Sequence, residues 1–353
     1  MKLVWDLAPQ KGNARNSEGS FIRMDDGRIL FAYSRFTGDN WHDEKPSDIA
    51  VVFSSDEGET WSEPVIAARA AEFGVQNVMS VSVIRQLDGS IGIYYLIKEN
   101  DGCSTIGRTL TRDGEHFATE RCVCTIARAY YVFNNDRFER LRDGRLCVPA
   151  ARNFNDPVVS YDDLSVCVCL VSEDDGKTFT ATPPRVTIPV LRKGDVGMQE
   201  PGIWERKDGT IWMWARTSAG FQYECFSHDT MLSFTPPQPS VFTSPTSPLE
   251  IAEDPATGVL YAAYNPSPNF NGKTQSKAGW GRTPLVLRKS SDEGRSWGPM
   301  TVVEDDDERG FCYPSMFFTA DNALLCAYCR GGSQDQACLA RLGIMKIPLA
   351  EIQ

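Results

Sequence analysis

A short turn sequence recurs along the chain and limits its possible folds more than any other feature. Residues 54–61 read SSDEGETW, with Ser54, Asp56, Gly58 and Trp61 in a fixed order. SEDDGKTF repeats that order at Ser172, Asp174, Gly176 and Phe179, and SSDEGRSW repeats it at Ser290, Asp292, Gly294 and Trp297. Two worn copies lie between them. SHDTMLSF keeps Ser227, Asp229 and Phe234 but has Met231 in place of glycine; TRDGEHF keeps Asp113, Gly114 and Phe117 with one residue fewer. The chemistry is that of a tight turn between strands: the Asp carboxylate accepts from backbone N–H groups, glycine takes a positive φ, and the aromatic packs over the turn. The copies start at 54, 111, 172, 227 and 290, so the repeat is near sixty residues and the 353 residues hold about six.

A second signal gives the same count. A turn followed by an apolar strand occurs at 26–34 (DGRILFAYS), 88–96 (DGSIGIYYL), 143–151 (DGRLCVPAA), 208–215 (DGTIWMWA), 257–264 (TGVLYAAY) and 321–328 (DNALLCAY). Helical periodicity is nearly absent, and short strands are bounded by Gly, Pro, Asn and Asp, so each unit reads as a small antiparallel sheet. Such a sheet cannot cover both faces alone. Six packed radially around an axis can, which predicts an all-β, six-bladed β-propeller spanning 1–353 as one domain. The strand around LVWDL is expected to close the ring beside LGIMKIPL at 342–349.

The net charge of −11 argues against a nucleic-acid partner, which needs clustered Lys and Arg. It leaves room for a small anion, because near neighbours set the field inside a cleft. EDDDE at 304–308 reads as a solvated loop. The N-terminus shows no apolar segment of signal-peptide length, and the apolar run IGIYYLI at 91–97 belongs to a strand, so a cytoplasmic protein with no membrane partner is expected. Eleven scattered cysteines, an odd number, read as reduced core fillers; Cys326 and Cys329 have redox spacing but sit in a strand rather than at a helix start. His42, His116 and His228 are too dispersed for a metal site, and neither metal nor cofactor is expected.

The Asp-box turns, the six units and three further stretches resemble the sialidase (neuraminidase) superfamily, in its branch of bacterial BNR-repeat proteins, over essentially the whole chain. Asp-boxes also occur in propellers that are not glycosidases, so any activity rests on a central site. The resemblance implies an arginine triad for the substrate carboxylate, a Tyr–Glu pair supplying the nucleophile and an Asp acting as acid and base. A sugar bearing its carboxylate on the anomeric carbon repels a carboxylate nucleophile; a neutral tyrosine, relieved of its proton by a glutamate, avoids that repulsion. Three arginines hold the acid in a bidentate geometry that lysine does not reproduce.

EPGIWERKDGTIWMWAR is similar to the family segment with the paired glutamate and second arginine, which implies Glu200 as activating base and Arg216 as clamp. RTPLVLRKSSDEG places Arg282 as the third arginine, with Arg288 its competitor, and CYPSMFFTADNALL places Tyr313 as nucleophile. The N-terminal end departs from the family: ARNSEGSFIRMDDG lacks the usual Arg-Ile-Pro, so Arg15 is taken as the first arginine with Arg23 the alternative, and Arg35 as a secondary ligand. Asp43 fits the acid/base spacing, ahead of Asp48 and Asp39, and is expected to be held protonated part of the time by burial under a loop. Asn135 and Asp136 either reach the cavity to bind hydroxyls or cap a turn.

The resemblance implies a retaining exo-α-sialidase, a glycoside hydrolase whose partner is a small glycan with an anomeric carboxylate. Two alternatives stand beside it: a glycosidase for a related 2-keto acid sugar such as Kdn or Kdo, and a non-catalytic carbohydrate-binding propeller. A purely structural propeller would show no convergent arginines. Oligomeric state is not legible in the sequence.

Overall fold

A computed structural model describes residues 1–153, 164–190, 195–268 and 276–353. The protein is all-β: among the described residues the only helices are three single 3₁₀ turns, at Ala70–Phe73, Ser333–Asp335 and Leu349–Glu351. Strands follow one another as antiparallel meanders in a propeller-like arrangement. Ring closure is as expected: Lys2–Leu7 pairs antiparallel with Leu342–Pro348, so the first strand completes the last sheet.

Hydrogen bonding joins the strands into five sheets, not six separate ones. Three have four strands. One has six, because one strand is broken into Tyr130–Val132 and Glu139–Arg140, both paired with Leu146–Asn153, and Val123–Thr125 adds in parallel beside Thr178–Ala181. The eight-stranded sheet consists of two meanders, beginning at Arg15–Arg23 and Asn77–Arg85, fused where Ser47–Ser54 meets Asn77–Arg85 through the single parallel pair Ser47–Asn77. The fusion is local: Ser47 donates its N–H to Gln76 O at 3.0 Å and its hydroxyl to Val78 O at 2.5 Å.

Apolar packing lies between meanders. Leu30, Ile49 and Val51 meet Val81, Ile91 and Ile93; Tyr94 and Leu96 meet Val148 and Leu170; Cys147 and Cys169 meet Ile203 and Met213. Trp212 and Trp214 meet Leu260 and Val286; Leu285 and Leu287 meet Leu324 and Cys326; Leu325 and Ile344 meet Phe31 and Val52. Burial of this apolar surface, at about 25 cal/mol per Å², is what commits each thin sheet to both neighbours.

The recurrent turns have the geometry their sequence implies. Asp56 Oδ1 accepts from Thr60 N at 2.9 Å and from Ser54 Oγ at 2.8 Å, while Ser54 Oγ accepts from Gly58 N at 2.8 Å. Ser290, Asp292, Gly294 and Ser296 repeat these contacts. Gly58 needs its missing side chain twice over, since φ is +84° and a Cβ would stand 2.6 Å from Leu325 Cδ1. Met231 adopts the same left-handed backbone at φ +69°, with its side chain fully buried and its sulfur 3.8 Å from Cys147 Sγ.

A second left-handed position governs the centre. Glu18, Ser80, Asp136, Glu200, Thr246 and Tyr313, one from each repeat, have φ between +47° and +61°. At Glu18, Ser80, Glu200 and Tyr313 the strand pairing shifts register around that residue, a bulge that re-aims a side chain. All four line one cavity.

Candidate active site

This cavity has a volume of about 330 Å³. Tyr313 and Glu200 enter it from strands Cys312–Phe318 and Gln199–Glu205, each residue followed by a proline. The Tyr313 hydroxyl donates to Glu200 Oε1 at 2.8 Å. Arg216, at the end of Ile211–Arg216, places Nη1 2.8 Å from each oxygen of Glu200. Burial, then the Glu200 carboxylate, pushes the Tyr313 phenol well above its ordinary range, against the pull of Arg216 and Arg282. The phenol is therefore neutral at physiological pH. Burial works against the charge of Arg216, but Glu200 and Tyr313 together outweigh it and the guanidinium stays cationic.

Arg282 lines the same cavity, with its guanidinium 5.6 Å from the centre of the Tyr313 ring and 5.1 Å from that of Trp280. It is held from behind by Cys312 Sγ at 3.1 Å and Thr246 O at 3.3 Å. Arg288, its competitor in sequence, points instead at the carbonyls of Trp297 and Gly298 and braces a recurrent turn.

Arg15 departs from expectation. It is fully buried and does not line the cavity; Glu18 Oε1 at 3.1 Å, Asp43, Ser17 Oγ at 2.7 Å and Trp41 O at 3.1 Å enclose it, and Phe36 lies under its guanidinium at 4.3 Å. The bulge falls on Glu18, which faces the cavity while Arg15 lies behind it. Arg23 is turned away and pairs with Glu57 at 2.7 Å. Arg35, on Ile29–Phe36, does not line the cavity either.

Of the three candidate acids only Asp43 lines the cavity. Asp39 meets Lys45 at 3.2 Å, and Asp48 accepts from Ala70 N at 2.9 Å. Asp43 is not buried under a loop as expected: its side chain is 59% exposed and paired with Arg15. Asn135 and Asp136 neither enter the cavity nor cap a turn. The Asn135 amide donates to Gly19 O at 2.9 Å and reaches Tyr313 O at 3.4 Å, and Asp136 accepts from Ser20 Oγ at 2.5 Å and Ser315 Oγ at 2.7 Å. They tie the bulges of Glu18 and Tyr313 together beneath the site.

Sequence reasoning missed Glu18, Trp41 and Trp280. The two tryptophans pack at 5.4 Å between ring centres at the cavity wall, a surface suited to the apolar face of a sugar. A tryptophan in each polar loop, DNWHDE and AGWGRT, was the available signal. Among the described residues no cluster of His, Cys, Asp and Glu is arranged to hold a metal. All eleven cysteines are free thiols.

The fold and its turns define a BNR-repeat protein. The chain belongs to the BNR repeat-like domain family, whose model matches residues 27–326. Among solved structures it is similar to a protein of unknown function from Dyadobacter fermentans, at 14% identity and TM-score 0.74, covering 98% of this chain and 99% of that one. It is also similar to the NanB sialidase of Streptococcus pneumoniae, at 12% identity and TM-score 0.72, covering 100% of this chain and 71% of that one. The intramolecular trans-sialidase of Ruminococcus gnavus is similar at 10% identity and TM-score 0.69, with 99% and 97% covered. At these identities the likeness is one of fold. No curated protein matches the chain.

Proposed function

We propose that this protein is a retaining exo-glycosidase of the sialidase type, releasing a terminal 2-keto acid sugar, sialic acid in the first instance, from a small glycan. The reading is carried by the 2.8 Å contact of Tyr313 with Glu200 inside a cavity that also holds Arg216 and Arg282. In the first step the Tyr313 oxygen bonds to the anomeric carbon, its proton passes to Glu200, and the bond to the leaving oxygen breaks as Asp43 protonates that oxygen. Water then attacks the same carbon, giving a proton to Asp43, and the tyrosine leaves with its proton restored from Glu200. Arg216 and Arg282 hold the sugar acid, and Trp41 and Trp280 support the ring.

The propeller is read as six-bladed, with the eight-stranded sheet counted as two. Six apolar interfaces and one left-handed central residue per repeat support that count. The free thiols suit a reducing, cytoplasmic setting.

The test is hydrolysis of 4-methylumbelliferyl α-glycosides of N-acetylneuraminic acid, Kdn and Kdo, with NMR identifying the first anomer released. Release of the α-anomer from one of them is expected. Saturable binding of a 2-keto acid sugar without turnover would favour a carbohydrate-binding propeller, and neither binding nor turnover would reject the reading.

A further inference from the structure

Glu18 occupies, in the strand Arg15–Arg23, the backbone position that Glu200 and Tyr313 occupy in theirs. Their φ values are +56°, +47° and +54°, each with a register shift around it, and all three side chains line the cavity. The chemistry proposed above uses Glu200 and Tyr313 and leaves Glu18 without a task.

Glu18 is only 3% exposed. Its Oε1 is held 3.1 Å from Arg15 Nη2, whereas Oε2 is shielded from solvent and accepts no hydrogen bond from any described residue. A buried carboxyl oxygen left without a donor is costly, and the free energy is recovered when a ligand brings one. The same carboxyl stands between Arg15 and the cavity; burial pushes it up to about 8 against the pull of Arg15, so this wall presents a carboxyl rather than a free cation to a ligand acid.

We infer that Glu18 is a specificity-determining residue, accepting a hydrogen bond from a hydroxyl or amino group of the bound sugar, whose acid is held by Arg216 and Arg282 alone. The inference rests on the proposed reading of the cavity as a 2-keto acid sugar site. The clamp then consists of two arginines and one acceptor rather than three arginines, and it selects a sugar by a donor group as well as by its acid.

The experiment is a ligand-by-protein cycle read by isothermal titration calorimetry. The probe is 2,3-didehydro-2-deoxy-N-acetylneuraminic acid, with its analogues lacking the hydroxyl at C4, C7, C8 or C9 or carrying an amine in place of the acetamide. The proteins are wild type, Glu18→Ala and Glu18→Gln. Glu18→Ala should bind the parent roughly 10-fold or more weaker, the range expected for a hydrogen bond to a charged group. Against one deoxy analogue it should show no such loss, or against the amine the loss should grow. Glu18→Gln, which keeps an acceptor oxygen, should recover most of the parent affinity. If Glu18→Ala binds every probe like wild type, or loses the same factor on all of them while Glu18→Gln does too, Glu18 does not contact the ligand. Should Glu18→Ala not fold, a Glu18→Gln protein that discriminates the deoxy analogues as wild type does supports the inference, and one that discriminates none overturns it through a merely structural role. If wild type binds none of these probes, the reading of the site as one for 2-keto acid sugars falls first, and the role of Glu18 falls with it.

Discussion

Tyr313 donates its phenolic hydrogen to Glu200 at 2.8 Å, although the two residues lie 113 positions apart in the chain. Each reaches the contact from a left-handed bulge, so a common backbone device in two different sheets produces one chemical pair. A buried, neutral phenol beside a carboxylate can lose its proton as it attacks, without first becoming a free phenolate.

Replacing Tyr313 with Phe keeps the ring and removes the attacking oxygen. Turnover should fall by orders of magnitude while the circular dichroism spectrum is unchanged. In wild type, a fluorinated sialosyl fluoride should leave a covalent adduct that mass spectrometry maps to Tyr313. An adduct elsewhere, or full turnover in the Phe variant, would reject this nucleophile.

Arg216 and Arg15 should respond differently to lysine. Arg216→Lys loses planar recognition and the double contact with Glu200, so affinity for a 2-keto acid inhibitor should weaken by about 1.5–3 kcal/mol. Arg15→Lys alters a group behind the cavity wall and should lower Tm more than it lowers inhibitor affinity. Calorimetric titration of both variants checks the contrast, which reverses if Arg15 is a direct ligand.

Met231 sits where the recurrent turn calls for glycine, and two effects oppose each other there. A left-handed backbone costs a side-chain-bearing residue about 1–2 kcal/mol. Removing a buried methionine side chain costs about 2–5 kcal/mol. Because the side chain is fully buried, the second effect should win, and Met231→Gly should be less stable by about 1–3 kcal/mol in urea denaturation. An unchanged or raised midpoint would show that the strain dominates.

Glu139 gives stability a definite pH dependence. Burial, and secondarily the charge of Asp136, push its carboxyl up to about 8 from the ordinary 4.5, with Arg137 pulling the other way. A carboxyl whose folded pKa is raised contributes stability that is fully present below about 4.5 and lost as pH rises towards about 8. The urea midpoint should therefore fall between pH 5 and pH 8, and Glu139→Gln should flatten that fall. An equal slope in the variant would assign the effect to other groups.

Much of the repeat was legible because its information is local. A serine, an aspartate, a glycine and an aromatic at fixed offsets specify one turn by hydrogen bonding and φ alone, wherever the chain carries them. Glu200 and Tyr313 were reached through resemblance to family segments, and each ends at the cavity. By itself the sequence determined an all-β chain of repeated meanders and the closing partnership of the first and last strands, while Tyr313, Glu200, Arg216 and Arg282 were pointed to by the resemblance to a known family.

Tertiary structure decided what no local pattern carries. Ser47 and Asn77 fuse two repeats into one sheet through a contact that depends on how the meanders are placed. Arg15 does not take the place expected of it: the resemblance implies the arginine of ARNSEGS as a ligand and gives Glu18 no role, yet the bulge turns Glu18 inward and leaves Arg15 enclosed behind it. Which of two neighbouring charges faces a cavity depends on the sign of one φ angle and on the desolvation of both groups. Residues from distant repeats set both conditions, here Asn135 beneath Gly19 and Asp136 on Ser20, and they act only once the ring has closed.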